Sequence, residues 1–594
     1  MCGIFGYIGP RTDAPKIVLE GLKSLEYRGY DSWGVAVVAH NTIVVKKKTG
    51  KIGDATVADM PKSSFALGHT RWATHGGVTD INAHPHLDCT RTIAVVHNGI
   101  VENYENLKKQ LIAKGHRFIS ETDTEVIAHL IENHYVSLKR GGLKGVTLIQ
   151  AVRTAFLLLQ GLNAVIVIDT KSRQFIAIRN GSPLVIGFGK NENYLASDPA
   201  ALLPHTRVVQ FLEDGEMAIV EERKITFKNV KTGKGLPIKK QKLNWTVSQS
   251  DKGNYPHFML KEIHEQPEAL RDIAKTGATG ALRLARAIKK SYGTYMVGCG
   301  SASYACLAGS YLFSKIAKRH VNWAIGSEFG YHLNFLTPKS TVIAISQSGE
   351  TMDILESVKK AKTRGAVIVA IVNVLGSTLY RLADDKVLIG VGPEKAVAST
   401  KALTGMIAHL LLLSWALAGD VKKGQAMLAQ AALVSEKLLK NKKHFATLVQ
   451  KLKDVTHIYV IGRGLSYPAA LEAAIKIKEI SYIHAEGMAA GELKHGPLAL
   501  VEKGTPCIAF LPNDETYGAN LAGAMEMKAR GGYIIGISFK PHEVFDYYIP
   551  VKDCREATLI PNVIVAQLLA YYLTLERGLD PDMPRNLAKS VTVK

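Results

Sequence analysis

The sequence has no paired cysteines. Its 594 residues include six cysteines, and none of them forms the Cys-x-x-Cys pair that is typical of zinc sites and redox motifs. We therefore predict neither a disulfide framework nor a zinc site, and no metal or cofactor is indicated. A reduced, intracellular setting follows from the same observation. The six cysteines are Cys2, Cys89, Cys299, Cys306, Cys507 and Cys554.

The sequence also lacks a hydrophobic run long enough to cross a membrane. Its most apolar run, residues 406–418, is too short to span a bilayer and predicts a buried core helix. At the N-terminus, charged Arg11 and Asp13 follow the apolar start too soon for a signal peptide. These absences predict a cytoplasmic protein without membrane association.

A nucleic-acid-binding surface is missing as well. The formal net charge is +22, yet there is no basic arm, zinc-finger spacing or aromatic RNA-binding motif. The surplus charge favours anionic ligands such as phosphates, or a solvated surface. The apolar fraction of 47% and the charged fraction of 21% are typical of a globular protein. A chain of this length predicts about two to four domains.

The segment Met1-Cys2-Gly3 carries the strongest chemical signal. If Met1 is removed, Cys2 bears both a thiol and a free α-amine. A thiolate is a strong nucleophile, and an amine with a pKa of about 7.7–8.0 can act as its general base near neutral pH. The structural alternative is an ordinary buried cysteine in a first strand.

The chain up to about residue 240 has the pattern of short strands mixed with a few helices. Valine- and isoleucine-rich runs predict strands at 2–8, 34–39, 42–47, 65–70, 92–97, 164–168, 175–178, 184–187 and 216–220. Periodicity predicts helices at 15–25, 104–114, 123–134 and 146–159. Two antiparallel sheets between layers of helices satisfy this order. The basic, turn-rich residues 231–243 predict an interdomain linker.

Three polar clusters interrupt the strands. Arg71 follows a predicted strand, where a guanidinium can bind a carboxylate in bidentate fashion. Asn98 offers an amide donor and Gly99 a closely approachable backbone N–H, and two such donors make an oxyanion hole. Asp123 opens a predicted helix. The structural alternatives are a turn at Asn98-Gly99 and a plain N-cap at Asp123.

Together these motifs resemble the N-terminal-nucleophile glutaminase domain of class II glutamine amidotransferases. The resemblance covers about 240 residues and rests on Cys2-Gly3-Ile4, Tyr27-Arg28-Gly29-Tyr30-Asp31-Ser32, the Arg71 cluster, Asn98-Gly99 and Thr122-Asp123-Thr124-Glu125. It implies an αββα sandwich in which Cys2, activated by its own amine, attacks the side-chain amide of glutamine. One departure is Trp33, where the family usually has a small residue.

The same resemblance implies the residues that surround glutamine. Arg71 would bind its α-carboxylate and Asp123 its α-ammonium, while Asn98 and Gly99 would stabilise the oxyanion. Trp72 would gate the path of ammonia, and its structural alternative is an aromatic packed beside Arg71. The implied glutamine-binding residues are Arg71, Thr74, His75, Gly99 and Asp123.

From about residue 290 short apolar strands alternate with helices, which predicts a parallel, doubly wound sheet. The pattern occurs twice, which we interpret as an internal duplication. The corresponding segments are 294–298 and 457–461, 341–345 and 506–510, and 364–366 and 530–532.

The two copies differ in the loop after the second of these strands. In the first copy, residues 346–351 combine hydroxyls, a glycine and a helix start, which is typical of a phosphate-binding loop. A helix cap is the structural alternative. In the second copy, residues 511–516 carry two carboxylates that would repel phosphate. We therefore predict one sugar-phosphate site per pair, in the first copy.

This half resembles a tandem of sugar isomerase (SIS) domains. The matching segments are 346–351, 397–401, 476–486, 491–497 and the tail 584–593. One departure is Ala302, where the family has a hydroxyl, and whether Ser303 replaces it stays open. The sugar-phosphate contacts implied are Ser301, Ser303, Ser346, Gln347, Ser348, Thr351, Val397, Ala398 and Ser399.

A ketose phosphate site of this kind needs an acid/base for ring opening, an amine at C2 and a carboxylate over C1 and C2. His495 suits the first role, because histidine titrates near neutrality. Glu479 suits proton transfer, and Lys476 lies three residues earlier on the same helical face. The resemblance implies that Lys589 forms a Schiff base. The structural alternatives are a solvated Lys476–Glu479 pair and a surface lysine at 589.

With the glutaminase part in front, the whole chain resembles the glucosamine-6-phosphate synthase family. The resemblance implies the substrates L-glutamine and D-fructose 6-phosphate, the products L-glutamate and D-glucosamine 6-phosphate, channelled ammonia, the first step of hexosamine biosynthesis, and a homodimer built on the isomerase halves. The predicted domains are 1–238 for the glutaminase, 239–254 for a linker, 255–420 for the first SIS domain, and 421–594 for the second SIS domain with a catalytic tail.

Two other functions compete with this one. Another class II amidotransferase, such as an amidophosphoribosyltransferase, needs an acidic diphosphate-ribose motif in place of the isomerase tandem. A non-catalytic sugar-phosphate sensor has no reason to keep Cys2 and Arg71 together with Glu479 and Lys589, and it usually carries a DNA-binding helix pair. No stretch of the sequence indicates a regulatory nucleotide-sugar insertion.

Overall fold

The computed structural model describes residues 2–140, 147–243, 245–246, 249, 251–441 and 443–591. The chain divides into two compact units, Met1–Ser250 with Ser590–Lys594, and Asp251–Lys589. Met1, the predicted helix start at residue 146 and the tail residues 592–593 lie outside the described residues.

The first unit contains two antiparallel sheets. Its strands are β1 (Gly3–Ile8), β2 (Ser32–Ala39), β3 (Thr42–Thr49), β4 (Phe65–Arg71), β5 (His86–Leu87), β6 (Ile93–Gly99), β7 (Asn163–Asp169), β8 (Phe175–Asn180), β9 (Val185–Phe188), β10 (Asn193–Ala196), β11 (Val208–Phe211), β12 (Glu216–Val220), β13 (Ile225–Asn229), β14 (Gly235–Leu236) and β15 (Gln241–Lys242). The strand orders are β15-β11-β9-β10-β1-β4-β2-β3 and β14-β13-β12-β8-β7-β6-β5.

Helices cover the outer face of each sheet. They are α1 (Ala14–Ser24), α2 (Tyr104–Ala113), α3 (Glu125–Arg140) and α4 (Leu148–Leu157). Because side chains alternate across a strand, β1 sends Ile4 and Ile8 into the core between the sheets and Phe5 into the core against α1. A third core joins the other sheet to α2, α3 and α4. The unit is therefore an αββα sandwich, as the resemblance implied.

The structure adds strands that the sequence pattern did not predict. Strands β10 and β11 have only four residues each, which is too short for a clear alternating signal. The segment 231–243, predicted as a linker, pairs instead with the first unit. Its β14 extends β13 and its β15 extends β11, so it forms the edges of both sheets.

The second unit contains two five-stranded parallel sheets. Its strands are β16 (Gly293–Gly298), β17 (Asn322–Ile325), β18 (Ser340–Ser346), β19 (Val367–Val372), β20 (Asp385–Leu388), β21 (His457–Gly462), β22 (His484–Ala489), β23 (Pro506–Leu511), β24 (Tyr533–Ser538) and β25 (Tyr547–Pro550). The strand orders are β17-β16-β18-β19-β20 and β22-β21-β23-β24-β25. The same order in both sheets confirms the duplication.

One continuous hydrophobic core joins the two copies. The helices of this unit are α5 (Phe258–Thr276), α6 (Ala278–Lys289), α7 (Ser301–Leu312), α8 (Gly326–Phe329), α9 (Met352–Thr363), α10 (Thr378–Leu382), α11 (Lys401–Ala418), α12 (Val421–Lys440), α13 (Lys443–Leu452), α14 (Ser466–Ser481), α15 (Tyr517–Lys528) and α16 (Leu559–Glu576).

Two helical stretches among the described residues, Lys401–Ala418 and Arg555–Glu576, are long and apolar enough to cross a bilayer by length and composition alone. The predicted run at 406–418 is thus five residues longer at its N-terminus. In each stretch 89% of the apolar window is buried inside the fold. Both therefore serve as core helices of the second unit.

Candidate active sites

The Cys2 side chain lies beside the residue that follows β4. Its Sγ accepts a hydrogen bond from the Trp72 N–H at 3.3 Å and lies 3.6 Å from the Trp72 carbonyl oxygen, to which the thiol donates. Burial raises the pKa of the Cys2 thiol, although the neighbouring Arg71 and Arg28 guanidinium groups act in the opposite direction. The thiol form therefore dominates near neutral pH and needs a base before it can attack.

The Asn98 amide is oriented by a buried histidine. The Nε2 atom of His69 lies 3.2 Å from Asn98 Oδ1 and 3.0 Å from the His97 carbonyl oxygen, so its N–H is donated to these acceptors. Burial lowers the pKa of His69 to about 3 and keeps the ring neutral. Since His69 takes Oδ1, the Asn98 Nδ2 is turned toward Cys2 and donates to the Cys2 carbonyl at 3.0 Å.

Gly99 ends β6 in a conformation that requires glycine. Its φ is +135°, and a Cβ atom there would lie 1.9 Å from the Leu162 carbonyl oxygen. The strand also pairs in register with β7, where Gly99 stands opposite Asn163. Sheet pairing and this close approach together fix the backbone N–H next to Asn98.

Arg71 ends β4, and the loop that follows wraps around its guanidinium. The guanidinium donates to the carbonyl oxygens of residues 75–77. Burial lowers the pKa of Arg71, and the nearby Cys2, Asp31 and Asp123 groups oppose this effect. The fold thus brings Arg71 and Asp123 into the neighbourhood of the Cys2 thiol.

The other residues of this loop differ in exposure. Thr74 is exposed, and the partly exposed His75 packs its ring edge-on against Tyr104 at 5.3 Å between centroids. Trp72 is partly buried and contacts the thiol through its main chain. The loop after Arg71 therefore lies next to the Cys2 thiol, and it contains Trp72, Thr74 and His75.

The segment before β2 holds Cys2 in position. Arg28 Nε donates to the Cys2 carbonyl at 3.2 Å, and Arg28 forms a largely buried ion pair with Asp198 at 3.2 Å. The Asp31 carboxylate accepts the Ala73 N–H at 2.7 Å. The segment before β2 therefore positions both Cys2 and the loop after Arg71 through hydrogen bonds.

Trp33, the departure from the family pattern, is only 2% exposed. It packs with Leu22 and Val57 in the core between the first sheet and α1. Its bulk is therefore accommodated as an ordinary core side chain.

Asp123 lies two residues before α3, which begins at Glu125. Its buried carboxylate accepts the Val101 N–H at 2.8 Å. The predicted helix start at residue 123 is therefore wrong by two residues, because this carboxylate binds the loop after Asn98-Gly99.

Four buried histidines lie behind Asn98. His69 stacks on His84 at 4.0 Å between ring centroids, and His84 contacts His86 edge-on at 4.7 Å. His97 lies 2.8 Å from Asn163 Oδ1 through its Nε2. Burial lowers the pKa of all four rings. They therefore form a neutral polar layer behind Asn98, the predicted oxyanion donor.

In the second unit, the loop 346–351 connects β18 to the N-terminus of α9. The Ser346 hydroxyl accepts the Gly349 N–H at 3.0 Å and lies 3.3 Å from the Thr351 hydroxyl, while the Ser348 hydroxyl accepts a backbone N–H two residues further on. These hydroxyls gather in front of a helix N-terminus, an arrangement that suits a phosphate group. In the neighbouring position the Gln347 carbonyl oxygen accepts a backbone N–H from the segment after β19.

The corresponding loop of the second copy carries its own anion. The Asp514 carboxylate accepts the Thr516 N–H at 2.8 Å and the Thr516 hydroxyl at 2.6 Å, and Glu515 forms an ion pair with Lys315 at 3.1 Å. A carboxylate therefore occupies the donors that a phosphate would need.

Ser301 and Ser303, at the start of α7, have different surroundings. Ser301 lies beside Glu472 of α14, where burial raises the pKa of the carboxyl and the Ser301 hydroxyl acts against that rise. The buried Ser303 hydroxyl accepts the Trp323 indole N–H at 3.2 Å. The hydrogen bond of Ser303 is therefore directed to Trp323, while Ser301 belongs to the polar cluster on α14.

Lys476 is the centre of that cluster. Its Nζ lies 2.5 Å from Glu479 Oε2 and 3.5 Å from Glu472 Oε1, and both Lys476 and Glu472 are 1% exposed. Burial, opposed by the Lys476 ammonium and aided by Glu479, raises the pKa of Glu472 to about 7. Burial acts against the ammonium form of Lys476, but the two carboxylates raise its pKa overall. The predicted one-face geometry of Lys476 and Glu479 is present.

Lys589 is buried rather than on the surface. Its Nζ lies 2.6 Å from Glu394 Oε2, and the two side chains are 4% and 0% exposed. Burial acts to raise the pKa of Glu394, but the Lys589 ammonium and nearby N–H donors lower it overall. Burial and the neighbouring Glu394 raise the pKa of Glu262 to about 8. One ammonium thus faces two buried carboxyl groups.

Glu394 also joins Lys589 to the segment 397–401. Its carboxylate accepts the Ser399 hydroxyl at 3.1 Å and the Thr400 N–H at 2.9 Å. Ala398 is buried, and the Val397 N–H donates to a carbonyl of the C-terminal segment. Because Glu394 also acts electrostatically on Lys476, the fold gathers both lysines in one region of the second unit.

His495 ends a short 3-10 helix, Glu492–His495, and its side chain is exposed. Within the described part of the chain it makes no hydrogen bond or ion pair with Lys476, Glu479 or Lys589. Among the described residues, this predicted acid/base therefore has no direct polar contact with the other candidate residues.

Comparison with known proteins agrees with both halves of this geometry. A glutamine amidotransferase domain model matches residues 69–204, and a SIS domain model matches residues 288–415 and 451–577. A protein of Pyrococcus horikoshii named glutamine–fructose-6-phosphate aminotransferase [isomerizing] is 44% identical over 608 residues, covering both chains completely. The chain belongs to this family. Members from Thermococcus kodakarensis and Thermus thermophilus are 42% and 40% identical, again over both full lengths.

Solved structures match the second half of this aminotransferase-family chain. The C-terminal domain of glucosamine-fructose-6-phosphate aminotransferase from Francisella tularensis is 34% identical, with a TM-score of 0.52, and covers 56% of this chain and 99% of its own. A phosphosugar isomerase structure from Silicibacter pomeroyi is 26% identical, with a TM-score of 0.50, over 55% of this chain and 100% of its own. The chain is accordingly an enzyme with one glutaminase domain and two SIS domains.

Several site residues of this family member escaped the sequence analysis. Glu394 and Glu262 stand next to Lys589, Glu472 stands next to Lys476, and His69 orients Asn98. Only Glu472 had a sequence signal, because Glu472 and Lys476 are four residues apart on one helical face.

Proposed function

We propose that this chain converts L-glutamine and D-fructose 6-phosphate to L-glutamate and D-glucosamine 6-phosphate. The observation that carries the proposal is the presence of two constellations in one chain, the Cys2–Asn98 pair and the Lys476–Glu479 pair. Full-length similarity to relatives named for this reaction supports it. The product assignment makes the chain a source of amino sugar for hexosamine biosynthesis.

In the glutaminase step, the α-amine of processed Cys2 takes the thiol proton, and Sγ attacks the side-chain amide carbon of glutamine. Asn98 Nδ2 and the Gly99 N–H stabilise the oxyanion. The carbon–nitrogen bond then breaks, ammonia leaves, and water hydrolyses the thioester to glutamate. The raised pKa of the Cys2 thiol supports this order, because a protonated thiol requires a base.

Glutamine itself is held by charged groups in the same region. Arg71 binds its α-carboxylate and Asp123 its α-ammonium, and Thr74 and His75 line the ligand. Opposite charges on Arg71 and Asp123, both buried, support this orientation. The guanidinium must then exchange part of its bonds to the carbonyls of 75–77 for the carboxylate.

In the sugar step, His495 opens the ring, Lys589 forms a Schiff base at C2, and ammonia displaces Lys589 to give the C2 imine. Glu479 moves the proton from C1 to C2, and Lys476 orients the Glu479 carboxylate and assists at the sugar hydroxyls. The 2.5 Å contact between Lys476 and Glu479 supports the last assignment. The proposed phosphate and sugar contacts are Ser301, Ser303, Ser346, Gln347, Ser348, Thr351, Val397, Ala398 and Ser399.

Ammonia released at Cys2 is passed on without mixing with solvent, with Trp72 as the gate. Amide-labelled [15N]glutamine, supplied with excess unlabelled ammonium, tests this proposal. Channelling gives product with the full label, whereas dilution of the label in the product would show that ammonia escapes. Trp72→Ala should dilute the label, while Trp33→Phe, at the packed core position, should leave it intact.

A homodimer and a cytoplasmic location complete the proposal. Exposure of His495, and of Leu500 at 57% in the adjoining 3-10 turn, supports a second copy covering this surface. Sedimentation of the purified protein should give twice the chain mass, and Leu500→Asp should give monomers. A monomeric wild-type protein would contradict the assignment. Cell fractionation tests the location.

The proposed domain limits are 1–238 for the glutaminase, 239–254 for the linker, and 255–420 and 421–594 for the two SIS domains. The start of this linker includes β15, which pairs with the edge of the first sheet. Limited proteolysis tests them. Cleavage within 239–254 should release a glutaminase fragment that still hydrolyses glutamine. Preferred cleavage well inside 1–238 or 255–420 would contradict these limits.

Activity measurement tests the reaction itself. Purified protein lacking Met1 should form D-glucosamine 6-phosphate and L-glutamate in equal amounts from the two substrates. Cys2→Ala should abolish glutamine hydrolysis but keep isomerisation of fructose 6-phosphate, and Cys507→Ala, a buried control in the second SIS copy, should keep both. If no amino sugar forms, the proposed reaction is wrong.

Retention of Met1 offers a separate check on the base. A sample whose N-terminal peptide still carries Met1, as shown by mass spectrometry, should not hydrolyse glutamine. Full activity of such a sample would rule out the α-amine of Cys2 as the base.

A further inference from the structure

Four metal-ligating side chains converge in the first unit, on residues that the proposed chemistry does not use. Cys89 lies between β5 and β6, His116 lies between α2 and α3, and His129 and Glu132 lie three residues apart on α3. One ligand atom from each of the four lies within 4.8 Å of all the others. The cluster draws on three separate segments, and its spacing matches no zinc motif.

The distances between these ligand atoms match a tetrahedral metal site. Cys89 Sγ lies 3.4 Å from His129 Nδ1 and 3.7 Å from His116 Nδ1. Glu132 Oε2 lies 3.0 Å from His116 Nδ1 and 3.4 Å from His129 Nδ1. Zinc bonds of about 2.0–2.3 Å, arranged tetrahedrally, separate the ligand atoms by about 3.3–3.6 Å. These four of the six separations are therefore close to those of a tetrahedral zinc site, and the other two are within 4.8 Å.

We propose that Cys89, His116, His129 and Glu132 bind a structural Zn²⁺ ion. The donor set of one sulfur, two imidazole nitrogens and one carboxylate oxygen is typical of zinc, whereas Mg²⁺ and Ca²⁺ prefer all-oxygen sites. Four protein ligands fill the tetrahedron and leave no position for a substrate, which is typical of a structural site. Cys89 is exposed and gives the ion an entry path, and its thiol releases its proton to solvent when the sulfur binds the metal.

The orientation of His129 argues for a cation at the centre. Its Nε2 lies 3.4 Å from the Glu125 carboxylate, which accepts its proton. In the neutral ring Nδ1 then presents its lone pair to the Glu132 carboxylate and the Cys89 sulfur. Electron-rich atoms so close together need a positive charge between them. Without a metal, a second proton on the ring supplies that charge, whereas a metal ion supplies it and also uses the lone pairs of all four groups.

A second layer of hydrogen bonds supports the ligands, as is usual around metals. Glu125 is held by the Ile119 and Ser120 N–H groups at 2.8 and 2.7 Å. The Arg117 N–H donates to Cys89 Sγ at 3.4 Å, a contact that stabilises a thiolate. The side chains of His129 and Glu125 are 1% and 2% exposed, so this layer is shielded from water.

The position of the site suggests what the ion stabilises. Cys89 precedes β6, the strand that ends at Asn98-Gly99, and Glu125 starts the helix that follows Asp123. A metal ion at this point ties both segments together. It would therefore stiffen the backbone that carries the oxyanion donors and the Asp123 carboxylate.

Metal content and cobalt substitution test the site. The full chain is prepared with Cys2→Ala, so that the Cys2 thiol cannot bind metal. After dialysis it should retain about one zinc per chain, and replacement by Co²⁺ should give a thiolate-to-cobalt charge-transfer band. Cys89→Ser should remove the band and the retained zinc. Glu125→Gln, which alters only the second layer, should weaken zinc binding about 10–100-fold.

A control on the same helix separates metal binding from general damage. His134→Gln changes a histidine of α3 outside the four ligands and should keep both the zinc and the cobalt band. Circular dichroism checks that each variant is folded. A Cys2→Ala protein without retained zinc, or a folded Cys89→Ser variant that binds zinc as tightly as its parent, would show the proposal to be wrong.

Discussion

The buried histidine layer beneath Asn98 makes a quantitative prediction about acid stability. At pH values above about 6.5, His69 is neutral in both the folded and the unfolded chain and has no proton-linked effect. Below that pH the unfolded chain binds a proton at His69. The folded chain does not, because burial lowers the pKa of His69 to about 3. Stability is therefore lost as the pH falls from about 6.5 toward 3.

The size of the effect follows from the pKa difference. One pH unit corresponds to about 1.36 kcal/mol for one titrating group. A pH of about 5 lies about 1.5 units below the pKa of His69 in the unfolded chain. Protonation of this one ring in the unfolded chain therefore reduces the free energy of unfolding by about 2 kcal/mol. Burial also lowers the pKa values of His84 and His86 strongly. Each of these rings therefore reduces the free energy of unfolding further in the same pH range.

His69→Gln isolates one proton-linked contribution. Glutamine can donate to the same acceptors but does not titrate, so the variant has a fixed cost at all pH values. Its stability deficit relative to wild type should shrink by about 2 kcal/mol between about pH 8 and about pH 5. Urea titrations read by hydrogen exchange and mass spectrometry on peptides from β4 and β6 measure it in the full chain.

An exposed histidine provides the control. His40 adopts a left-handed backbone conformation with φ of 49°, which asparagine tolerates, so His40→Asn is the matched substitution. The pH dependence of the His69→Gln deficit is compared with that of His40→Asn in the same titrations. A deficit of His69→Gln that stays constant from about pH 8 to about pH 5 would refute the reasoning.

Three further predictions concern the polar contacts around each site. Asp31→Ala removes a charge-assisted hydrogen bond worth about 1.5–3 kcal/mol. The kcat/KM for glutamine hydrolysis should therefore fall about 10–100-fold, while isomerisation persists. Glutamine hydrolysis equal to that of the wild type would contradict this prediction. Lys476→Met leaves Glu472 buried without its cation and should reduce the free energy of unfolding by about 3–5 kcal/mol. The loss should be largest above about pH 7, where Glu472 ionises. Thermal unfolding that shows no such dependence on pH would count against this prediction. Glu394→Gln removes the carboxylate 2.6 Å from Lys589 and leaves only Glu262 facing that ammonium. Amino-sugar formation should be lost while glutamine hydrolysis is kept, and an unchanged rate of amino-sugar formation would contradict this role of Glu394.

The local chemistry of both sites could be predicted from short segments of sequence. Lys476 and Glu479 are one helical turn apart, so helix geometry alone brings their side chains together, and they meet at 2.5 Å. The loop 346–351 follows a buried strand and precedes a helix, and that order is enough to predict hydroxyls in front of a helix N-terminus. Periods of two and 3.6 likewise predicted most strands and helices.

Contacts between distant segments were not predictable in the same way. Lys589 and Glu394 are 195 residues apart in the sequence. No local pattern around the tail lysine indicates that Glu394 is its partner. His69 alternates with other residues of β4 as any strand residue does, and only its contact with Asn98 across 29 residues reveals its function. The Cys89 cluster draws on separate segments, and its spacing matches no zinc motif.

The sequence by itself determined the order of elements, the duplicated isomerase half and the candidate reactive side chains, because these depend on local periodicity and on side-chain chemistry. Tertiary structure decided which buried charge faces which lysine, why the Asn98 amide points at Cys2, and where four metal-ligating atoms meet. The physical reason is burial. Once water is removed, a charge or polar group must find a partner from elsewhere in the chain, and only the fold determines which one it finds.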